Sequence, residues 1–375
     1  MKADLIYQDE KSNKFWSIEV NGSEHTVTFG RIGTNGTSST KQFGDAEAAQ
    51  KAASKLIASK KKKGYVEMSL ESSGSVRDSE TFAGKTIKEF KGGFSPNTAV
   101  KVFAPSYEPE SPVTEQLEQL VKSPDIAKLD TLVIGSWTEC YENSCETILD
   151  KLIELKGHFS GLRHLFIGDM DMEDCEMSWI IQTDYSDFYQ HFQALESFGV
   201  RGGQGLILGE INLPNLKNLV VETGGLNGDA IDDICNSNLP NLEHLELWLG
   251  TDEYGCTVKV EQLRPILDGK FPNLEYLGLK NYDEQDALAK NLQGAAVLEY
   301  IDVLDISMGV LKDEGAEALY NNEALLNLQH LNCRHHFISN DWMEKLSTKF
   351  NKQNINLDDQ EDSDDGEWFF VEIGE

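Results

Sequence analysis

The chain has 375 residues, which is long enough for two or more domains. Of these residues 39% are apolar and 26% are charged, which is an ordinary composition for a globular protein. No apolar run is long enough to cross a bilayer and the first residues show no signal-peptide pattern, so we expect a cytoplasmic protein without a membrane partner. The net charge of −31 is uneven: residues 1–67 hold eleven Lys/Arg against eight Asp/Glu, and the rest holds 22 against 56, a net of −34. Such a body repels phosphate backbones and attracts cationic partners.

The six cysteines are spread without a C-x-x-C pair. This spacing predicts neither a zinc cluster nor a disulfide framework, and most of the thiols are expected to be small buried apolar groups. We therefore expect no metal and no cofactor.

Residues 1–67 contain four strand-like runs followed by a helix. The runs are DLIYQD, FWSIEV, HTVTFGRI and TSSTKQF, and the turns between them include Asn21-Gly22 and Asn35-Gly36, which are strong signals for two-residue hairpins. From about Asp45, apolar residues at helical spacing predict an amphipathic helix that ends in four lysines. Cations in a last helical turn are favoured by the helix dipole, and the same run is a candidate phosphate contact.

The segments NKFWSIEV, TFGRIGTNG, a K-x-F strand, the helix and KKGY together resemble a WGR domain, the module named for Trp-Gly-Arg. In poly(ADP-ribose) polymerases this module contacts DNA ends and neighbouring domains, partly through the Trp and the Arg. The resemblance implies a small α+β domain, an antiparallel sheet with one helix, in which Phe29 replaces the tryptophan and Arg31 is the arginine. If the module binds DNA or RNA, Phe29 is expected to stack on a base. The phosphate contacts would then come from Lys41, Lys51, Lys55, Lys60, Lys61, Lys62 and Lys63.

Residues 68–80 are rich in Ser and Gly, which predicts a flexible linker. Beyond the linker, a Leu-x-x-Leu-x-Leu pattern with aliphatic substitutions recurs eight times, with helical stretches such as ETILDKLIEL, GDAIDDICN and DEGAEALYN between the copies. The spacings bracket the leucine-rich-repeat period of roughly 20 to 29 residues. The copies begin at Leu129, Leu162, Leu195, Leu216, Leu242, Leu274, Leu298 and Leu328.

This pattern predicts an α/β leucine-rich-repeat solenoid, with parallel strands lining the inside of an arc and helices outside, because stacking buries the apolar face of each unit. The solenoid is expected over residues 129–357, after a cap at residues 81–128 and before an acidic tail at residues 358–375. The segments LVIGSW, LFIGDMDMEDCEMSWI, LEHLELWLGTDEYG and DGEWFFVEIGE further resemble a bacterial leucine-rich-repeat family, often joined to an N-terminal WGR module, that has no established biochemical role. The resemblance implies an architecture and no activity.

The residue after the third apolar position of each copy is expected to face the concave surface. An exposed Trp248 among charged residues would form a protein-binding hot spot, because Trp and Arg dominate such sites. The alternative is that Arg201 and Glu222 pair across adjacent strands and that Trp248 packs under a loop. The candidate protein-binding residues are Arg201, Glu222, Trp248, Lys280, Tyr276 and Arg334.

Three histidines, His164, His244 and His330, share one position of the pattern. They lie three strands apart, about 14 Å, so they cannot share one zinc ion. The acidic insertion from Asp169 to Glu176 lacks calcium-loop spacing and is expected to be solvated. Cys175 has no base that the sequence places beside it, so no catalytic residue is predicted.

The chain ends in an acidic run followed by WFFVEIGE. We expect the acidic run to be solvated and the WFFV segment either to dock on the last repeat or to serve as a peptide for a partner.

These observations favour a non-enzymatic adaptor that binds a macromolecule through the acidic arc, namely a protein with a basic surface. One alternative is a nucleic-acid-binding protein that acts through residues 1–67. Another is an inhibitor of immunity type that mimics nucleic acid with its acidic charge.

Overall fold

The structure is a computed structural model that describes residues 2–9, 12–31, 37–63, 66–67, 76–105, 112–350, 354–363 and 368–374. The chain divides into two compact units, Met1–Ser75 and Val76–Glu375. The first is built on an antiparallel sheet and the second on a large, mostly parallel sheet, so the protein is a mixed α/β chain. In the described part, no helix has both the length and the apolar character needed to span a membrane.

The first unit contains the hairpins and the helix that the sequence predicts. Its five strands pair antiparallel in the order β4-β3-β2-β1-β5. Gly22 lies in the turn between the second and third strands and has φ +57°. The Asn35-Gly36 turn lies outside the described residues. Asp45 caps the helix, because its Oδ1 accepts from the backbone N–H of Ala48 at 2.7 Å. The elements are β1 (Lys2–Asp9), β2 (Ser12–Asn21), β3 (Glu24–Arg31), β4 (Thr37–Gln42), α1 (Ala46–Lys61) and β5 (Val66–Glu67).

The second unit places twelve strands side by side in chain order. An antiparallel hairpin of β6 and β7 starts the sheet, and every neighbouring pair from β7 to β17 is parallel. The strands are β6 (Thr81–Phe82), β7 (Lys85–Glu89), β8 (Ala99–Val102), β9 (Thr131–Ile134), β10 (His164–Ile167), β11 (Ser197–Arg201), β12 (Asn218–Glu222), β13 (His244–Gly250), β14 (Tyr276–Tyr282), β15 (Val303–Asp305), β16 (His330–Asn332) and β17 (Ile355–Asn356).

Helices occupy most of the connections between these strands. Three of them coincide with the predicted stretches ETILDKLIEL, GDAIDDICN and DEGAEALYN. The helices are α2 (Val113–Leu120), α3 (Glu146–Leu155), α4 (Gly228–Asn236), α5 (Arg264–Leu267), α6 (Gln285–Asn291), α7 (Asp313–Asn321) and α8 (Asn340–Lys349).

The connection between β10 and β11 departs from the predicted strand, loop and helix order. It contains two 3₁₀ turns, Met177–Trp179 and Tyr189–His191, in place of an α-helix. Buried aromatic rings fill the space, and Phe188 stacks on Phe192 with ring centroids 4.6 Å apart. The hydroxyl of Tyr189 donates to the carbonyl of Leu208 at 2.9 Å, so this polar atom is satisfied inside the core.

The leucines of the pattern are stacked in register across the sheet. Leu132 is paired with Leu165, and Leu219, Leu245, Leu277, Leu304 and Leu331 continue the same row on later strands. These residues form one buried core with the apolar sides of the helices.

The register corrects one predicted copy of the pattern. Leu304 aligns with Leu277 and Leu331, so the seventh copy begins at Ile301 and not at Leu298, which lies in a 3₁₀ turn. The corrected start is 27 residues from both Leu274 and Leu328. The Leu-x-x-Ile at position 298 fits the pattern by spacing alone, and the register of the strand distinguishes the two frames.

The N-terminal boundary of the second unit also differs from the prediction. Residues 76–80, predicted as the end of a flexible linker, belong to this unit, and Arg77 bridges Phe82 in its first hairpin. Residues 81–128, predicted as a cap, contribute β7 and β8 to the same sheet. Residues 68–75 lie outside the described residues.

Candidate binding surface

The large sheet has one face covered by helices and a second face that carries charged side chains. We call the second the polar face. It is formed by the residues that alternate with the core leucines, and by those just beyond the strand ends. Its members include Lys101, Asp169, Arg201, Glu222, Glu246, Trp248, Lys280 and Asp305.

Arg77 is the centre of an ion-pair network at one end of the polar face. Its Nη1 donates to both carboxylate oxygens of Glu222 at 2.8 and 2.9 Å, its Nη2 donates to Asp169, and its guanidinium lies 4.1 Å from the centroid of the Phe166 ring. Lys101 Nζ also lies 2.8 Å from Asp169. Burial alone would raise the pKa of Asp169, but the charges of Arg77 and Lys101 hold it below its ordinary value.

Arg201 joins the same network from the neighbouring strand. Its Nε donates to Glu222 at 2.6 Å and its Nη1 donates to the carbonyl of Met170. Arg201 and Glu222 face each other in the register of β11 and β12. The structure therefore shows the cross-strand pair that the sequence allowed as an alternative to a free arginine.

Trp248 is buried, with 8% of its surface exposed, so the prediction of an exposed tryptophan is wrong for this structure. Its Nε1 donates to Glu246 at 2.8 Å, and Lys280 Nζ lies 5.2 Å from the ring centroid. The apolar cover comes from Met177, Met308 and Ile373. Ile373 belongs to the C-terminal segment of the chain. The residue pattern of the strand that carries Trp248 does not indicate that this segment packs against it.

Glu246 is the buried acceptor of a second network. Lys280 lies 3.1 Å from its Oε1 and His244 lies 3.4 Å from its Oε2. Burial alone would raise the pKa of Glu246, but Lys280 and His244 hold it well below its ordinary value. Burial alone would lower the pKa of Lys280, and Glu246 and Asp305 raise it instead.

Tyr276 and Arg334 complete the predicted set, and both have partners within the chain. Tyr276 is buried, stacks on His244 at 4.0 Å and donates from its hydroxyl to Asp305 at 3.0 Å. Arg334 pairs with Asp359 at 2.6 Å and with Glu372. The polar face thus brings the six predicted residues together, but as members of internal networks.

An exposed aromatic group that the sequence reasoning missed lies beside the polar face. Trp179 is 55% exposed and lines two cavities, of about 490 and 260 Å³. The larger also has a glycine-rich wall and Glu253, and the smaller has Glu173, Glu176 and Met172, which is 72% exposed. A tryptophan in the acidic insertion after β10 was the available sequence signal.

The acidic insertion is only partly solvated. Asp169 is buried against Arg77 and Lys101, which corrects the prediction for this residue, whereas Asp171 and Glu173 are exposed. Burial and the neighbouring Asp171 raise the pKa of Asp174. Among the residues with described positions, no group of His, Cys, Asp and Glu is arranged to hold a metal ion.

The other sequence candidates show no reactive arrangement. His164, His244 and His330 lie in one row of the sheet, three strands apart. Cys175 is buried, and its hydrogen bond with the thiol of Cys140 and its burial raise its pKa, which disfavours the thiolate that a nucleophile requires. The glycines of the loop after β11 serve a tight turn, because Gly202 has φ +110°.

The surface of the first unit presents Phe29, which is 48% exposed. Phe29 pairs across the sheet with Trp16, and Lys60 Nζ lies 5.3 Å from the Trp16 ring, so the aromatic side chain and the lysine-rich end of α1 adjoin the same tryptophan. Arg31 ends β3, and its side chain lies outside the described part. The remaining candidate lysines are exposed, namely Lys41, Lys51, Lys55, Lys61, Lys62 and Lys63.

The first unit is a WGR domain, because residues 1–72 match the model of that family. Two proteins of Escherichia coli (strain K12) are similar to part of this chain: protein YehF, 51% identical over 80 residues, and the uncharacterized protein YfeS, 52% identical over 67 residues. The alignments cover 21% and 18% of this chain, and the chain spans 28% of the length of each E. coli protein.

The chain is also similar along its whole length to a crystal structure. This structure is that of a Bacteroides fragilis protein determined by the Northeast Structural Genomics Consortium, with 31% identity and a TM-score of 0.69, and the alignment covers 100% of this chain and 99% of that one. The chain therefore belongs to the family of this Bacteroides protein.

Proposed function

We propose that the protein is a non-enzymatic binding protein in which a WGR domain precedes a leucine-rich-repeat solenoid. The solenoid is supported by the parallel strands in chain order, by the stacked leucine row and by the 27-residue spacing of Leu274, Ile301 and Leu328. In such an array each unit packs only against its neighbours, and the surfaces at the strand ends remain for partners.

The partner that this surface fits is a protein with a basic patch. The observation that carries the proposal is the exposed Trp179 between two cavities rimmed by Glu173, Glu176 and Glu253. Tryptophan is among the residues most enriched at protein-binding hot spots. The net charge of −34 beyond residue 67 attracts cationic surfaces to this part of the protein. The polar face itself serves the fold, since its arginines and lysines are paired with its own carboxylates.

Affinity capture from native cell extract tests this proposal. The full chain serves as bait in three forms: unchanged, Trp179→Ala and Leu326→Ala, the last being an exposed apolar residue of another surface. We expect a basic partner whose recovery is unchanged with Leu326→Ala, falls at least about tenfold with Trp179→Ala, and decreases as salt is added. Equal recovery with all three baits would show that this surface does not bind the partner.

A second candidate function is nucleic-acid binding by the WGR domain. The observation that favours it is the exposed ring of Phe29 beside the lysine-rich end of α1. A stacked base contributes roughly 1–3 kcal/mol. In titrations of the full chain with nicked and single-stranded DNA at low salt, Phe29→Ala should therefore weaken binding about tenfold or more. Leu56→Ala, which removes another exposed apolar side chain of the same unit, should not. An unchanged chain that binds neither DNA would exclude this function.

A further inference from the structure

Residues 368–374, which we call the tail, lie along the ends of three neighbouring strands, β14, β15 and β16. The Nε2 of His335 donates to the carbonyl of Phe370 at 3.1 Å, and the backbone N–H of Glu372 donates to the carbonyl of Met308 at 2.9 Å. The side-chain amide of Asn281 makes two bonds with Ile373: it donates to the carbonyl at 2.6 Å and accepts from the N–H at 3.0 Å. The backbone of the tail is therefore bonded to one residue at the end of each of the three strands.

The three residues that hold the tail occupy equivalent positions. Asn281, Met308 and His335 are 27 residues apart and each lies four residues after a leucine of the stacked row. All three have positive φ, of +56°, +67° and +56°, a conformation that is uncommon for residues other than glycine. These three copies of the pattern thus use the same left-handed position to contact the tail.

The spacing of the strands matches an extended peptide. From the strand of His335 to that of Asn281 is two strand spacings, about 9.6 Å, and from Phe370 to Ile373 is three residues, about 10 Å when extended. A peptide that crosses the strand ends therefore meets one backbone contact per strand.

The side chains of the tail add specific chemistry. Glu372 pairs with Arg334, and Ile373 packs against Trp248 and its two methionine neighbours. The rings of residues 369 and 370 contact Phe337 at 5.1 and 5.3 Å between centroids. Val371, which precedes Glu372, is buried, with 6% of its surface exposed. The order of recognised groups is aromatic, aromatic, aliphatic, acidic, aliphatic.

We propose that this surface is a peptide-recognition groove, that the tail is its resident ligand, and that an extended partner peptide displaces the tail. This peptide has an aromatic pair followed by an aliphatic, an acidic and a second aliphatic residue. On displacement, side chains of the partner take the place of Glu372 beside Arg334 and of Ile373 beside Trp248. This groove adjoins the Trp179 surface, because Gly374 lies against Gly224 and Tyr254, which line the larger Trp179 cavity. The two surfaces differ in their ligands, since the ligand of the groove is acidic and apolar and not basic.

The test uses the full chain and a fluorescent synthetic peptide, EWFFVEIGE, in anisotropy titrations. The tail is weakened by Glu372→Ala with Ile373→Ala, which leave the groove intact. The resident tail competes at high effective concentration. We therefore expect the double variant to bind the peptide at least about tenfold more tightly than the unchanged chain. Equal affinities for the two chains would overturn the proposal.

A charge exchange tests the recognition itself. In the weakened-tail chain, Arg334→Glu should abolish binding of EWFFVEIGE and create binding of EWFFVKIGE, a rescue that a merely unfolded variant cannot give. Binding of both peptides without regard to residue 334 would overturn the proposal. So would dimerisation of the weakened-tail chain without peptide uptake, measured by light scattering, because it would assign the groove to a second copy.

Discussion

Replacing Arg77 by methionine is expected to destabilise the second unit strongly, although the sequence around it is typical of a linker. The variant keeps much of the apolar volume of the side chain and removes the positive charge. The carboxylates of Asp169 and Glu222 then remain buried beside Lys101 and Arg201 but without the guanidinium that pairs with both of them.

The magnitude follows from the contacts that are lost. Arg77 makes three hydrogen bonds to two buried carboxylates and a cation–π contact with Phe166. Each charge-assisted bond is worth about 1.5–3 kcal/mol, but the burial of the guanidinium offsets part of this sum. Removal of one partner from a buried ion pair costs about 3–5 kcal/mol, which we expect here as the loss of unfolding free energy.

The assay is urea denaturation of the full chain at several pH values, followed by tryptophan fluorescence, since five of the six tryptophans lie beyond residue 75. The lowered pKa of Asp169 stabilises the unchanged chain above about pH 4, and this contribution is lost as the pH falls through the lowered value. In the variant, we expect the pKa of Asp169 to be higher than in the unchanged chain, because burial is then opposed by Lys101 without Arg77, so protonation relieves part of the penalty. The difference between the two chains should therefore shrink from about pH 7 to about pH 4.

Lys91→Met is the matched control, because Lys91 pairs with Glu89 at 2.9 Å on the exposed surface. Its effect should stay below about 1 kcal/mol. If the two variants lose the same free energy of unfolding, or if the loss for Arg77→Met is independent of pH, the assignment of Arg77 to a buried network is wrong.

Two further predictions concern other parts of the second unit. Gly250 and Gly255 both have positive φ, but a Cβ at Gly250 would lie 1.8 Å from the carbonyl oxygen of Gly224, whereas a Cβ at Gly255 has no neighbour within 4 Å. In urea denaturation Gly255→Ala should cost about 1 kcal/mol from backbone strain and Gly250→Ala about 1–3 kcal/mol more, and equal losses would contradict the steric reasoning. Burial raises the pKa of Cys145 to about 12, so its thiol should resist alkylation near pH 8 in the native chain and react after denaturation. Mass-spectrometric detection of rapid labelling at Cys145 without denaturant would contradict the buried position.

Much of the secondary structure could be predicted from local pattern. The alternation in the first unit predicted β1 to β4, and helical spacing predicted α1, α3, α4 and α7. These elements depend on neighbours two to four residues away, so their signals lie within short segments of the chain.

The frame of the leucine pattern at residue 298 could not be settled in this way. Leu298 and Ile301 both open an acceptable copy, and the choice depends on which residues are buried in the strand of Leu304. The wrong frame hid the 27-residue spacing of Asn281, Met308 and His335, and with it the contacts to the tail.

Which side chains of the chain pair with each other was decided by the tertiary structure alone. Arg77 and Glu222 are 145 residues apart, and Asn281 and Ile373 are 92 apart. Residue types at the strand ends predicted a charged surface but not whether it was exposed. A segment that is distant in the sequence can pair with a charged side chain or cover a tryptophan ring. The local periodicity of the sequence does not indicate such a contact. Local pattern therefore determined the strands, the helices and the acidic character, and the packing of distant segments determined which side chains remain available to a partner.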